Sequence, residues 1–169
     1  MAPRAASRLE SLGFGDVYEH KAGKLDWLAA GLPTEGENSQ RPRAGDVARK
    51  DVIVCGLKDR LAGVRDRAAA VGWDVAVAVD DEHVVLGLLR SKQLDMDGEL
   101  TVEEAMHPGP STFRPYVPMK EMADYMVEHE LDGVPITTSD GKLIGVLLKS
   151  DAIEHAATGA AAARRLITS

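Results

Sequence analysis

Leu131-Asp132-Gly133-Val134-Pro135-Ile136, then Asp140-Gly141-Lys142-Leu143-Ile144-Gly145-Val146-Leu147, then Asp151, is the stretch that decides how this chain folds. Two apolar runs separated by Asp-Gly read as strand, tight turn and strand, because Asp-Gly supplies the left-handed backbone that a hairpin turn requires. The same order recurs upstream at an offset of 58 residues, which carries Asp74-Val75-Ala76-Val77-Ala78 onto Asp132–Ile136 and Leu86-Gly87-Leu88-Leu89 onto Ile144–Leu147. Asp66 meets Asp124 and Val47 meets Ala105 in the same register, without a gap. A gapless repeat of this length implies two copies of one supersecondary unit, neither of which buries its apolar face alone. The expected fold is therefore mixed α/β (α+β), with two β-α-β-β-α repeats packed about a pseudo-two-fold axis.

The composition suits such a module. The chain has 169 residues, 44% hydrophobic and 28% charged, with a formal net charge of -7. The acidic balance argues against non-specific nucleic-acid or anionic-membrane binding, which needs a basic surface. No apolar run approaches the roughly 20 residues of a membrane span. Met1-Ala2-Pro3-Arg4-Ala5-Ala6-Ser7 leads into amphipathic sequence without an apolar h-region, so no signal peptide is expected. Cys55 is the only cysteine, which leaves no intramolecular disulfide and fits a cytoplasmic setting.

Along the chain the expected units are residues 1–33, a polar linker over 34–43, the first repeat over 44–98, the second over 99–157, and a tail over 158–169. Each repeat should open with a short strand, Val52-Ile53-Val54 in the first and Ser111-Thr112-Phe113 in the second. In the second repeat Met119, Met122, Ala123, Met126 and Val127 recur at helical spacing and predict one apolar face, read as core. Ser150-Asp151 stands where a helix N-cap belongs.

Strand, helix, paired strands and helix, twice over, with Val134-Pro135-Ile136 and Gly145-Val146-Leu147 in place, resemble a tandem pair of CBS domains, a Bateman module. The second repeat carries the resemblance closely, from Val102-Glu103-Glu104-Ala105-Met106 to Gly145 and Asp151; the first matches by register and is degenerate in its polar positions. The resemblance implies a non-catalytic regulatory module that takes AMP, ADP, ATP or S-adenosylmethionine as ligand in the cleft between the repeats. It also implies a homodimer or a regulated protein partner, while the charge balance and the lack of a long apolar run, as above, leave no nucleic acid or membrane expected as partner.

Carried over residue by residue, the resemblance assigns Asp151 to the ribose hydroxyls, with Gly145 three residues before Leu148, which stands where the family has Ser or Thr. Ser150 and Lys149 would face a phosphate, Thr112 would lie near the ligand, and the backbone around Asp132, Gly133, Val134 and Pro135 would face the adenine. The pseudo-equivalent site of the first repeat has Gly87, Arg90, Gln93, Val54 and Ala76. It should be weaker, because Gln93 lacks the charge that makes a ribose contact strong.

Residues 11–18 and 22–33, with Gly13-Phe14-Gly15 and Leu25-Asp26-Trp27-Leu28, resemble the C-terminal end of a rhodanese domain. That resemblance bears on Cys55-Gly56-Leu57-Lys58-Asp59-Arg60, which spaces a Cys and an Arg as a sulfurtransferase loop would. Such a loop needs several backbone N–H groups around a thiolate; one glycine, with Leu57 and Asp59, fits that poorly, and packing is the expected role of Cys55. His20, His83, His107, His129 and His155 lack paired metal spacing, so no metal site is expected.

Overall fold

In the computed structural model, residues 8–15, Val17, Trp27 and 41–157 are described. The rhodanese-like reading of 1–33 and the 34–43 linker therefore lie for the most part outside the described residues, and the 158–169 tail lies wholly outside them. The elements follow in the order α1 (Ala44–Val47), β1 (Ile53–Cys55), α2 (Leu61–Val71), β2 (Val75–Val79), β3 (Val85–Arg90), α3 (Ser91–Leu94), α4 (Val102–Ala105), β4 (His107–Pro108), α5 (Met119–Glu128), β5 (Gly133–Thr137) and β6 (Leu143–Leu148). Residues 149–157 form a further helix, α6. β2 and β3 map onto β5 and β6 at the 58-residue offset.

The first sheet has the order β1-β2-β3-β4. β1 runs parallel to β2, and the other pairs are antiparallel. The second has only β5 and β6 as full strands, but single bridges complete the same order on both sides: Phe113 pairs with Ile136 in parallel, and Arg49 pairs with Val146 antiparallel. The outer partners are exchanged between repeats. β4, from the entry of repeat 2, pairs with Leu88 of repeat 1, and its counterpart Arg49, from the entry of repeat 1, pairs with Val146 of repeat 2. Between them Val84 and Lys142, counterparts of each other, form a bridge. The Val85 N–H donates to the Gly141 carbonyl and the Leu143 N–H to the His83 carbonyl. These reciprocal bonds are the pseudo-two-fold axis in hydrogen-bond form.

The core is exchanged in the same way. One cluster packs Leu61, Val64, Ala68, Val77, Leu88 and Leu89 against Val102 and Ala105 of the opposite repeat. The other packs Met119, Met122, Met126, Ile136 and Leu147 against Ala44 and Ala48. Each large side chain so buried contributes about 1.5–3 kcal/mol, and neither repeat keeps these contacts alone. Trp73 adds an aromatic to the first cluster. α2 stops at Gly72, whose φ of 74° lets its N–H reach back to Ala68 and Ala69 carbonyls, the left-handed C-terminal motif that favours glycine.

Three expectations are corrected. The strand over Ser111-Thr112-Phe113 is reduced to the single bridge at Phe113. Pro135 is the reason: extending the parallel pairing would require its N–H for the Ser111 carbonyl, and proline has none. Its counterpart Val77 does pair with Val54. Second, Val127 is 56% exposed, while Met119, Met122, Ala123 and Met126 are buried. Third, α6 begins at residue 149, so Ser150 and Asp151 lie inside its first turn instead of capping it.

Candidate functional site

β5 and β6 are antiparallel, with Gly133 opposite Leu148. This places Asp132, at the start of β5, beside Lys149, at the start of α6. The Lys149 N–H donates to the Asp132 carbonyl at 2.9 Å, and the ammonium reaches the Asp132 carboxylate at 2.7 Å. On the other edge of β5 the Pro135 carbonyl accepts from Phe113 N–H. Since alternate residues of a strand face the same edge, Gly133 turns its N–H and C=O to that edge too, beyond the point where pairing stops. Gly133, Val134 and Pro135 are buried and can offer a ligand backbone only. Thr112 is exposed at this open edge, one residue before the Phe113 bridge.

Asp151 faces Arg49. The Arg49 Nε donates to one carboxylate oxygen at 2.7 Å, and its terminal nitrogen to the other at 3.0 Å; the Ser150 hydroxyl adds a longer contact of 3.3 Å. The two side chains belong to opposite repeats and meet because Arg49 pairs with Val146, at the centre of β6. The Arg49 hydrogen bonds hold the Asp151 carboxyl below the ordinary carboxylate value, against the opposing effect of burial, and Arg49 is raised in turn. On its other side the guanidinium lies 6.0 Å from the Trp73 ring, at the outer limit of a cation–π contact.

The structure thus gathers Asp132, Gly133, Lys149, Ser150 and Asp151 around the β5–β6 end, with Thr112 further along the same edge. It adds Arg49, which the sequence reading did not single out. A signal was available: the 58-residue register sets Arg49 opposite His107, but single-bridge pairings have no periodicity to announce them.

The first repeat does not reproduce this arrangement. Gln93 accepts from the backbone N–H of Arg90 at 3.2 Å and so caps its own helix. Ala76 has no exposed surface and sits in a strand paired on both sides. Val54 is paired to Val77. Arg90 keeps a buried Nε without a hydrogen-bond partner. Cys55 is buried, its thiol facing the Val77 carbonyl at 3.5 Å. Burial first, and the Asp59 charge second, push the thiol up to about 12, which disfavours a thiolate near neutral pH and with it the sulfurtransferase reading. No cluster of His, Cys, Asp or Glu suited to a metal ion occurs among the described residues. Among them, too, no helix is long and apolar enough to cross a membrane.

Comparison with known proteins agrees with this architecture. Residues 102–158 match the family model of the CBS domain. Solved structures match over both repeats. CBSX2 in complex with AMP has 19% identity and a TM-score of 0.62, over 69% of this chain and 97% of that one; CBSX2 is from Arabidopsis thaliana. A CBS domain pair in complex with 5-methylthioadenosine and S-adenosyl-L-methionine has 18% identity and a TM-score of 0.62, over 70% of this chain and 98% of that one. The cytosolic domain of the magnesium channel MgtE in complex with ATP has 21% identity and a TM-score of 0.61, over 67% of this chain and 48% of that one. No curated protein matches the sequence. The described region therefore has the mixed α/β fold of a CBS domain pair, and its second repeat matches the CBS family in sequence.

Proposed function

We propose that this chain is a regulatory module that binds an adenosine-containing ligand (AMP, ADP, ATP or S-adenosylmethionine) beside Asp151 and transmits occupancy to a partner protein or to a second copy of itself. The observation that carries this reading is the joining of two features at the β5–β6 end: an unpaired strand edge at Gly133, and a carboxylate on the adjoining helix turn. The first suits a base, which pairs with backbone groups; the second suits a ribose diol, which donates to a carboxylate. The ligands bound by the neighbours of the same fold support the class. Because the outer strands are exchanged between repeats, a ligand in this cleft would bias their relative packing, and a population shift of that kind is what a partner reads.

Calorimetric titration beside a melting curve tests the proposal. Losing a charge-assisted contact costs about 1.5–3 kcal/mol, so Asp151→Ala should weaken ligand binding roughly ten- to hundredfold. Gln93→Ala, which removes only a helix-capping contact in the first repeat, should barely change it. A second reading, a ligand-free dimerisation module, is favoured by the fact that Arg49 already occupies both oxygens of Asp151. It takes the place of the first if no adenosine compound binds the wild-type chain at millimolar concentration.

A further inference from the structure

We infer that the proposed site selects an adenosine ligand bearing an anionic phosphate over neutral adenosine, because Arg49 withholds the Asp151 carboxylate from any ligand that does not give its guanidinium another anion. This rests on the proposed ligand site and specifies its chemistry.

A ribose diol needs the same two carboxylate oxygens that Arg49 now holds at 2.7 and 3.0 Å. Asp151 is the more enclosed of the pair, its side chain 16% exposed against 47% for Arg49, so Arg49 is the member that moves. A neutral nucleoside would displace a bidentate, charge-assisted pair and put neutral donors in its place. A nucleotide phosphate gives the released guanidinium a new bidentate partner, which arginine geometry suits well.

The surroundings supply few substitutes. Asp51 also attracts Arg49, but it is exposed and its pull is screened by solvent. The other nearby cation, Lys149, is bonded to Asp132. His155 lies close enough to favour the charged form of Asp151. S-adenosylmethionine brings a sulfonium and an ammonium, which this cluster would disfavour, together with a carboxylate that suits the arginine fork, so adenosine against AMP is the deciding comparison. In the first repeat the Arg49 counterpart is His107 and the Asp151 counterpart is Gln93, already bonded to Arg90 N–H, so the device exists once.

The test is titration of the full chain with adenosine, AMP and S-adenosylmethionine, in wild type and in Arg49→Met, which keeps the aliphatic stem and removes the charge. Wild type should favour AMP over adenosine by about tenfold or more. In Arg49→Met the ratio should fall to about threefold or less, with adenosine gaining outright. Arg49→Lys, which keeps the charge without the fork, should fall between. In wild type, inorganic phosphate should also tighten adenosine binding relative to chloride at equal ionic strength, a readout that needs no variant to fold. Equal binding of adenosine and AMP, or a ratio unchanged in Arg49→Met, overturns the inference while leaving the adenosine site in place. Binding of none of the three to wild type overturns both.

Discussion

The carbonyl oxygen of Arg49 lies 2.5 Å from the point where a Cβ on Gly145 would stand. Gly145 is thus required by the crossing of one repeat's entry segment over the other's second strand, apart from any part it plays beside a ligand. Its counterpart Gly87 faces the side chain of Met106, with that residue's Cβ 3.1 Å away. Backbone cannot withdraw without breaking the Arg49–Val146 pairing, whereas a thioether chain can change rotamer. Overpacking costs about 1–3 kcal/mol. Gly145→Ala should therefore fall near the upper end of that range and Gly87→Ala near the lower. Urea denaturation of the two variants measures the difference; equal losses would mean that the crossing strand yields as readily as the methionine.

Cys55 provides a test of burial. With its thiol pushed up to about 12, the native protein should resist an alkylating reagent near neutral pH, and labelling should proceed only through unfolding. Cys55→Ala should keep the fold with a modest loss of stability, since a small buried side chain is being trimmed. Mass spectrometry of labelled protein at increasing urea concentration checks this. Rapid modification of the native protein would contradict the burial of the thiol.

What could be read from the sequence depended on periodicity. The two apolar runs and the Asp-Gly turn between them marked β5 and β6, and the 58-residue register carried them onto β2 and β3, because these elements bury apolar runs on both faces. Met119, Met122 and Met126 were legible as core for the same reason. Arg49 was not, because a one-residue bridge has no repeat of its own. The missing strand at Ser111 followed from a single proline, a local exception that overrides the register. Asp151 stood out in the sequence, but its engagement with Arg49 is a contact between residues 102 positions apart, set by how the repeats cross.

We propose that the expected homodimer forms through the face of α5 and α6 that points away from the sheets. Val127 and Ile153 are exposed there at 56% and 47%. They line an open groove of about 440 Å³ with Ala123 and Ala156, whose short side chains allow close helix approach, while Asp124 and Glu128 edge it. Covering this apolar strip with the same strip of a second copy would be an isologous contact. Ile153→Asp should convert the dimer to monomer in sedimentation analysis while the melting curve stays cooperative. A wild-type chain that sediments as monomer at high micromolar concentration would contradict the dimer.

The Arg49–Asp151 pair also sets an acid limb on stability. Arg49 hydrogen bonding holds the folded Asp151 carboxyl below its ordinary value of 3.8. A group depressed in this way contributes stability above its unfolded pKa, and that contribution is lost as pH falls through the folded pKa. Arg49 stays protonated throughout, so the limb belongs to the carboxylate alone. With Arg49 47% exposed, the pair is worth about 0.5–1 kcal/mol after solvent screening. Wild type should therefore melt above Arg49→Met near about pH 6, where the unfolded carboxyl is also ionised. The gap should close on acidification below about pH 4, as the folded carboxylate takes up its proton. Raising the salt concentration should narrow the gap at the higher pH, because only wild type has the Arg49–Asp151 pair to screen. A gap that is the same at both pH values would mean that Arg49 supports the fold through its guanidinium against Trp73 and not through the carboxylate.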